Sequence, residues 1–181
     1  MAAGATMHTF EVQLADMDRG VYEQFTVRAA RHPSETEAYL VTRVLAYCLE
    51  YQEGIVFSEG VSATDEPAVL VRDLTGKLLA WIEIGAPDAA RLHTGSKAAE
   101  RTVVYTHRDP AKVAAPWAGA RIHRGDEIAL HSFDPGFIDA AVGVLERRNS
   151  LTLTVTEGQL YVELNGVHLS SAVHTHPVAA G

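Results

Sequence analysis

The chain has 181 residues, 47% hydrophobic and 21% charged, which is room for a sizeable core and excludes wholesale disorder. The formal net charge is −8 and Lys and Arg are not clustered, which argues against broad nucleic-acid binding because phosphate neutralisation needs a basic track. No apolar run approaches the length of a bilayer span, and the start lacks a basic segment followed by an apolar one, so neither membrane association nor a signal peptide is expected. The single cysteine, Cys48, lies in an apolar helical pattern and reads as a buried thiol in a reducing compartment, pointing to the cytoplasm.

The first element is strand, turn, strand. Phe10, Val12 and Leu14 alternate with polar neighbours, as do Val21, Phe25 and Val27, around a turn at "DMDRG". A helix follows, predicted over Glu35 to Gln52. Ser34 and Glu37 form a capping box, Leu40/Val41, Val44/Leu45 and Cys48/Leu49 give one apolar stripe, and Gly54 is the stop signal. Next come a short strand "IVF", a hairpin around "DLTG", and a helix that begins near Pro87 and Asp88. "TVVYTH" is a continuous apolar run, the mark of a strand covered on both faces. A helix interrupted at Pro116, the strand "EIALHSF" and a helix in "DPGFIDAAVGVLER" lead to two alternating strands about a Glu157-Gly158 turn. The tail after Leu169 is expected to be frayed. Strands and helices alternate through the middle with hairpins at both ends, so the expected architecture is one α/β domain with a mixed central sheet and flanking helices.

The hairpin from Glu66 to Gly85 carries the anomaly. Leu79, Trp81, Glu83 and Gly85 share one strand face, so Glu83 is lodged in an apolar setting. A lone buried carboxylate costs several kcal/mol, roughly 3–5. Glu83 therefore either ends the strand facing solvent or has a cation, and in the second case it is a candidate metal ligand at the mouth of a site. Register decides its company. A type I turn in "DLTG" with Gly76 left-handed pairs Asp73 with Lys77 and sets Pro67 opposite Glu83 and Asp65 opposite Gly85. A loop of Thr75-Gly76 alone puts Ala68 opposite Glu83 and Glu66 opposite Gly85. Asp65 or Glu66 thus completes an acidic pair.

Other constellations are weaker. The nine histidines include no helical i, i+4 pair, and there is no cysteine pair to join them. His174 and His176 fall in the tail, and His93 is the histidine nearest the acids. "GAPDAAR" lacks the glycines and the Lys-Ser/Thr ending of a phosphate loop, and Ser58, Ser62 and Ser96 have no nucleophile-elbow context.

The segments "ADMDRG", "ARHPSET", "TRVLAYCLEY", "DEP", "DLTG", "WIEIGAPD" and "VVYTH", in unbroken order from about Leu14 to Tyr105, together resemble the YaeQ family, with a looser match through "GQLYVEL". That family is similar in fold to the PD-(D/E)xK nucleases, so the resemblance implies a restriction-endonuclease-like architecture with extra hairpins. It also implies a site in which hairpin acids hold Mg²⁺ or Mn²⁺. The "PD" of the nuclease motif falls on Pro67 and Ala68, so its Asp is absent. The "(D/E)xK" falls on Glu83, Ile84 and Gly85, so its acid is present and its Lys is absent. Asp65 or Glu66 would have to replace the missing carboxylate, and Lys97 or Arg91 on the following helix the missing cation. Glu50 on the first long helix would be an assisting acid. Two functions remain open on this reading. One is a degenerate relative acting as a binding or regulatory module, linked to the transcription machinery. The other is a divalent-metal-dependent nuclease or phosphodiesterase acting on nucleic acid with Glu83 and Asp65 or Glu66.

Overall fold

The computed structural model describes residues 4–58 and 66–178, so Asp65 and Ser62 lie outside the described residues. The elements are β1 (Thr6–Asp16), β2 (Val21–Arg31), α1 (Glu37–Leu49), β3 (Ile55–Phe57), β4 (Val69–Arg72), β5 (Leu78–Ile84), α2 (Ala89–Ala98), β6 (Arg101–Tyr105), α3 (Pro110–Ala114), β7 (Ala129–Phe133), α4 (Phe137–Gly143), β8 (Arg148–Thr156), β9 (Gln159–Leu164) and β10 (Val167–Pro177). This is a mixed α/β fold. Among the described residues no helix is long and apolar enough to cross a membrane. Contacts divide the chain into two compact units, Met1–Val44 with Phe133–His174, and Leu45–Ser132 with Thr175–Gly181.

The first unit is built on the strand order β2-β1-β8-β9-β10. β1 pairs antiparallel with β2 from Thr6↔Arg31 to Asp16↔Val21, and parallel with β8 from Thr9↔Arg148 to Asp16↔Val155. Phe10, Val12, Leu14, Leu151, Leu153, Val155, Leu160, Val162 and Leu164 are buried, as strict alternation along each strand requires. α1 begins two residues later than its capping box suggests. The cap is Thr36, whose Oγ1 accepts the Tyr39 N–H at 3.0 Å, while Ser34 is drawn off to His32 Nδ1 at 2.8 Å.

The tail differs most from its sequence reading. Val167–Pro177 is a regular strand, paired antiparallel with β9 from Val167↔Leu164 to Ala172↔Gln159. Two turns with both central residues left-handed produce this meander: Glu157 and Gly158 have φ of 51° and 72°, Asn165 and Gly166 of 51° and 83°. Asn-Gly is the strongest short hairpin signal, and at Asn165-Gly166 it carries the chain into a third strand instead of a frayed end. His174 is likewise engaged, its Nε2 lying 2.6 Å from Asp134 Oδ1, and this hydrogen bond holds the Asp134 carboxyl below its usual range.

The second unit has the order β7-β6-β5-β4-β3, with β5, β6 and β7 parallel and β4 antiparallel to its neighbours. Its helix α2 begins near Pro87 and Asp88, as the sequence suggests, and Asp88 proves to be the N-cap, its Oδ1 accepting the Arg91 N–H at 2.8 Å. α2 lies against the face of β5 that carries Trp81, 2% exposed. Leu92, Val104, Val113, Trp117, Ile128, Leu130 and Val178 form a buried cluster on the same side, and Trp117 Nε1 donates to the Pro87 carbonyl at 2.8 Å. Close approach here depends on Gly95, where an added Cβ would fall 2.6 Å from the Trp81 ring. Trp81 is too enclosed to yield, so Gly95→Ala should destabilise the protein by about 1–3 kcal/mol, read from urea denaturation, with an unchanged far-ultraviolet dichroism spectrum.

Candidate functional site

The acid-bearing hairpin of β4 and β5 holds elements of both registers open to it. At the turn Asp73 N–H donates to Lys77 O at 3.0 Å, and Gly76 is left-handed with φ 87°, as a type I turn with a following left-handed glycine demands. The Asp73 carboxylate is accepted into this turn, taking the Thr75 hydroxyl at 2.6 Å and the main-chain N–H groups of Thr75 and Lys77. One step further the register slips. Arg72 pairs with Leu78 but Val71 pairs with Ala80, so Leu79 is an extra residue, and the pairing runs on through Leu70↔Trp81 and Val69↔Ile82. Continued one residue, that register puts Ala68 opposite Glu83.

Glu83 is enclosed, with its side chain 5% exposed. Its cation is Arg91, in the first turn of α2. Arg91 Nε lies 2.5 Å from Glu83 Oε2 and an Nη2 hydrogen bond reaches Oε1 at 3.1 Å, so guanidinium and carboxylate meet as two parallel forks. Nη2 also donates to the main-chain carbonyl of Glu66 at 2.7 Å. The half-buried Glu66 therefore joins the site through its backbone. Glu83 is not the solvent-facing end of a strand. It is a buried ion partner whose oxygens both face a guanidinium. Among the described residues no group of three His, Cys, Asp or Glu is placed to hold a metal.

Lys97, in the last turn of α2, is exposed and lies six residues beyond Arg91, about 9 Å along the helix axis. His93 turns toward the segment between α3 and β7, its Nδ1 accepting the His123 N–H at 3.0 Å. Glu50 is on the other side of the sheet. Glu83 pairs with Val104, a member of the cluster under α2, while the next pair, Ile84 and Tyr105, points the opposite way. Tyr105 donates its hydroxyl to Glu50 Oε2 at 2.7 Å, and Arg101 forms an ion pair with Oε1. The structure thus brings Glu83, Arg91 and Glu66 together and separates Glu50 and Lys97 from them.

The Glu50 face holds a second polar cluster that sequence reasoning missed. The His131 ring lies 4.9 Å from that of Tyr105, and His131 Nδ1 shares a hydrogen bond with Thr175 Oγ1 at 3.0 Å. On the opposite face of β7, Ser132 bonds His176 Nε2 at 2.8 Å. Tyr105 was hidden in an apolar run, and the tail histidines carried no spacing that tied them to β7. Burial pushes the His131 imidazole down from its ordinary value of 6.5; Glu50 opposes this, while Arg101 and His176 add to it.

Glu83 and Tyr105 lie toward the carboxyl ends of the parallel strands β5 and β6, the end at which open α/β sheets place ligand sites. The sequence matches the YaeQ protein family model over residues 1–173. The chain belongs to the YaeQ family. It is 27% identical over 165 residues to the YaeQ protein of Salmonella typhi, covering 90% of each chain, and 33% identical over 111 residues to that of Escherichia coli K12, covering 61% of each. Its fold is similar to the crystal structures of YaeQ proteins from Pseudomonas syringae (TM-score 0.87, 30% identity, 98% of each chain) and Xanthomonas axonopodis pv. citri (TM-score 0.85, 26% identity, 97% of this chain and 99% of that one).

Two measurements test this geometry. Arg91→Ala strands a buried carboxylate and should cost about 3–5 kcal/mol in urea, whereas Glu83→Gln, which removes charge but keeps shape, should cost less. The depressed His131 titration makes the unfolded chain the better proton acceptor: its contribution is complete above pH 6.5 and is lost as pH falls below that value toward the folded-state pKa. Stability measured from pH 7 downward should therefore drop with a slope of at most about 1.4 kcal/mol per pH unit from this group, and His131→Asn should flatten it.

Proposed function

We propose that this YaeQ chain is a degenerate PD-(D/E)xK-type domain serving as a cytoplasmic binding or regulatory module, with the transcription machinery as its partner. The observation that supports this reading is the Glu83–Arg91 fork. A nuclease of this type uses its hairpin acids to hold a metal and a lysine to stabilise developing charge. Here the one retained acid is neutralised by a side chain of the same unit, the place of the motif's Asp is Ala68, and the place of its Lys is Gly85. The net charge of −8 agrees, since a chain without a basic track is poorly suited to hold a polynucleotide by its phosphates.

Calorimetric titration of Mg²⁺ and of Mn²⁺ into the wild-type protein and Glu83→Gln should give indistinguishable, non-specific heats at millimolar metal. Neither protein should cleave single- or double-stranded DNA or RNA. Specific binding that the variant loses, together with cleavage, would establish the metal-dependent nuclease built on Glu83 with Asp65 or Glu66 instead. Association with purified bacterial RNA polymerase in sedimentation experiments is expected; its absence would remove the transcription assignment.

A further inference from the structure

We infer that the outer face of the first unit's sheet is a binding site for a neutral, linear oligosaccharide, seated on Tyr161 and extending toward Tyr22. The pairing registers lay this face out in rows. One row runs Tyr22, Ala15, Thr154, Tyr161, Ser170 across β2, β1, β8, β9 and β10, and the next runs Gln24, Gln13, Thr152, Glu163, His168. Residues opposite one another in a sheet share a face, and the sequence neighbours Leu14, Leu153, Val155, Leu160 and Val162 are buried, so both rows point outward. Tyr161 and Tyr22 are 51% and 62% exposed. A hollow of about 380 Å³ opens over β8, β9 and β10, its polar lining made by Thr152, Thr154, Tyr161, Glu163, His168 and Ser170. Among the described residues none of these side chains hydrogen-bonds to another part of the chain, so their polar atoms are left for solvent or a ligand.

The lining selects the class of ligand. It contains no Lys or Arg, so it suits neither a phosphate nor a carboxylate, and its single carboxylate, Glu163, offers too few oxygens for a divalent cation. A wholly apolar ligand would strip water from the Thr152, Thr154 and Ser170 hydroxyls without replacing their hydrogen bonds. What matches is a neutral molecule with an apolar face and a polar edge, and a pyranose is built that way. Its ring C–H groups lie flat on a tyrosine ring, which supplies large, rigid contact area at little entropic cost. Its hydroxyls exchange hydrogen bonds with side-chain hydroxyls that both donate and accept, and an adjacent pair of them can donate to the two oxygens of Glu163. Tyr22 and Tyr161 stand three strand spacings apart on one row, roughly 14 Å between their backbones, with the small residues Ala15 and Thr154 between them. That separation matches a chain of several sugars, and the small side chains form its bed. The site lies wholly in the first unit, so the inference goes beyond the reading of Glu83 and does not rest on it.

The experiment is calorimetric titration of maltoheptaose and of cellohexaose into wild type, Tyr161→Ala, Tyr161→Phe, Tyr22→Ala and Glu163→Gln. All the altered side chains are exposed, so each variant should keep the fold, which circular dichroism checks. At least one of the two saccharides should bind wild type with a Kd of about 10–1,000 μM. Tyr161→Ala and Glu163→Gln should each weaken that binding at least about tenfold, whereas Tyr161→Phe, which keeps the ring, should stay within about threefold of wild type. Tyr22→Ala should weaken binding of the long saccharide and leave that of its disaccharide, too short to reach both rings, unchanged. Failure of both saccharides to bind wild type would overturn the inference, as would binding that folded Tyr161→Ala and Glu163→Gln both retain. Either result leaves the Glu83–Arg91 reading intact, and specific metal binding at Glu83 would in turn leave this inference intact.

Discussion

A carboxylate inside a strand must be paired, and in this protein that requirement organises the second unit. Glu83 sits between Ile82 and Ile84 in a strand whose neighbours on both sides are hydrogen-bonded, so it cannot reach water by fraying. Its charge is met by Arg91, and Arg91 can meet it because α2 begins only a few residues after β5 ends, with Asp88 fixing the first turn. The same guanidinium draws in the Glu66 carbonyl, which ties the segment leading into β4 to the helix that follows β5. A single ion pair thus joins three stretches of chain that the hairpin register alone would leave loosely related.

The sheet of this unit also acts as a partition. Acids that would have to cooperate around one metal lie on opposite faces: Glu83 with α2, Glu50 with Tyr105 and Arg101. Each carboxylate has an arginine of its own, as buried or half-buried charges require. The Glu50 side adds His131 and Thr175, so the chain's last strand contributes to the same face. Membership of the YaeQ family and similarity to two YaeQ crystal structures place this arrangement on a fold whose backbone is shared across nearly the whole chain.

Much of the fold was legible in the residues because it follows from local chemistry. Alternation marked β1, β2, β8 and β9; the apolar stripe of α1 is buried from Leu40 to Leu49; α2 opens at Asp88, where a helix entry was expected; and Glu83 was marked as an acid that must either face water or find a cation. Misreadings arose where two local signals competed. Thr36 displaced Ser34 as the α1 cap because His32 claimed the serine. The tail was read as loose although Asn165-Gly166 carries the dihedral preference that turns it into β10.

What the sequence determined by itself was the α/β class, the main helices, most strands and the choice for Glu83 between a strand end in water and a cation, all set by periodicity, caps and the cost of a buried charge. Only the tertiary structure decided which cation answers and which acids share a face. A bulge at Leu79 moves the hairpin by one residue, and a one-residue shift in a strand reverses every side chain's direction. Whether Arg91 or Lys97 reaches Glu83 depends in turn on where α2 begins relative to the strand end, a matter of a few ångströms that composition and spacing do not encode.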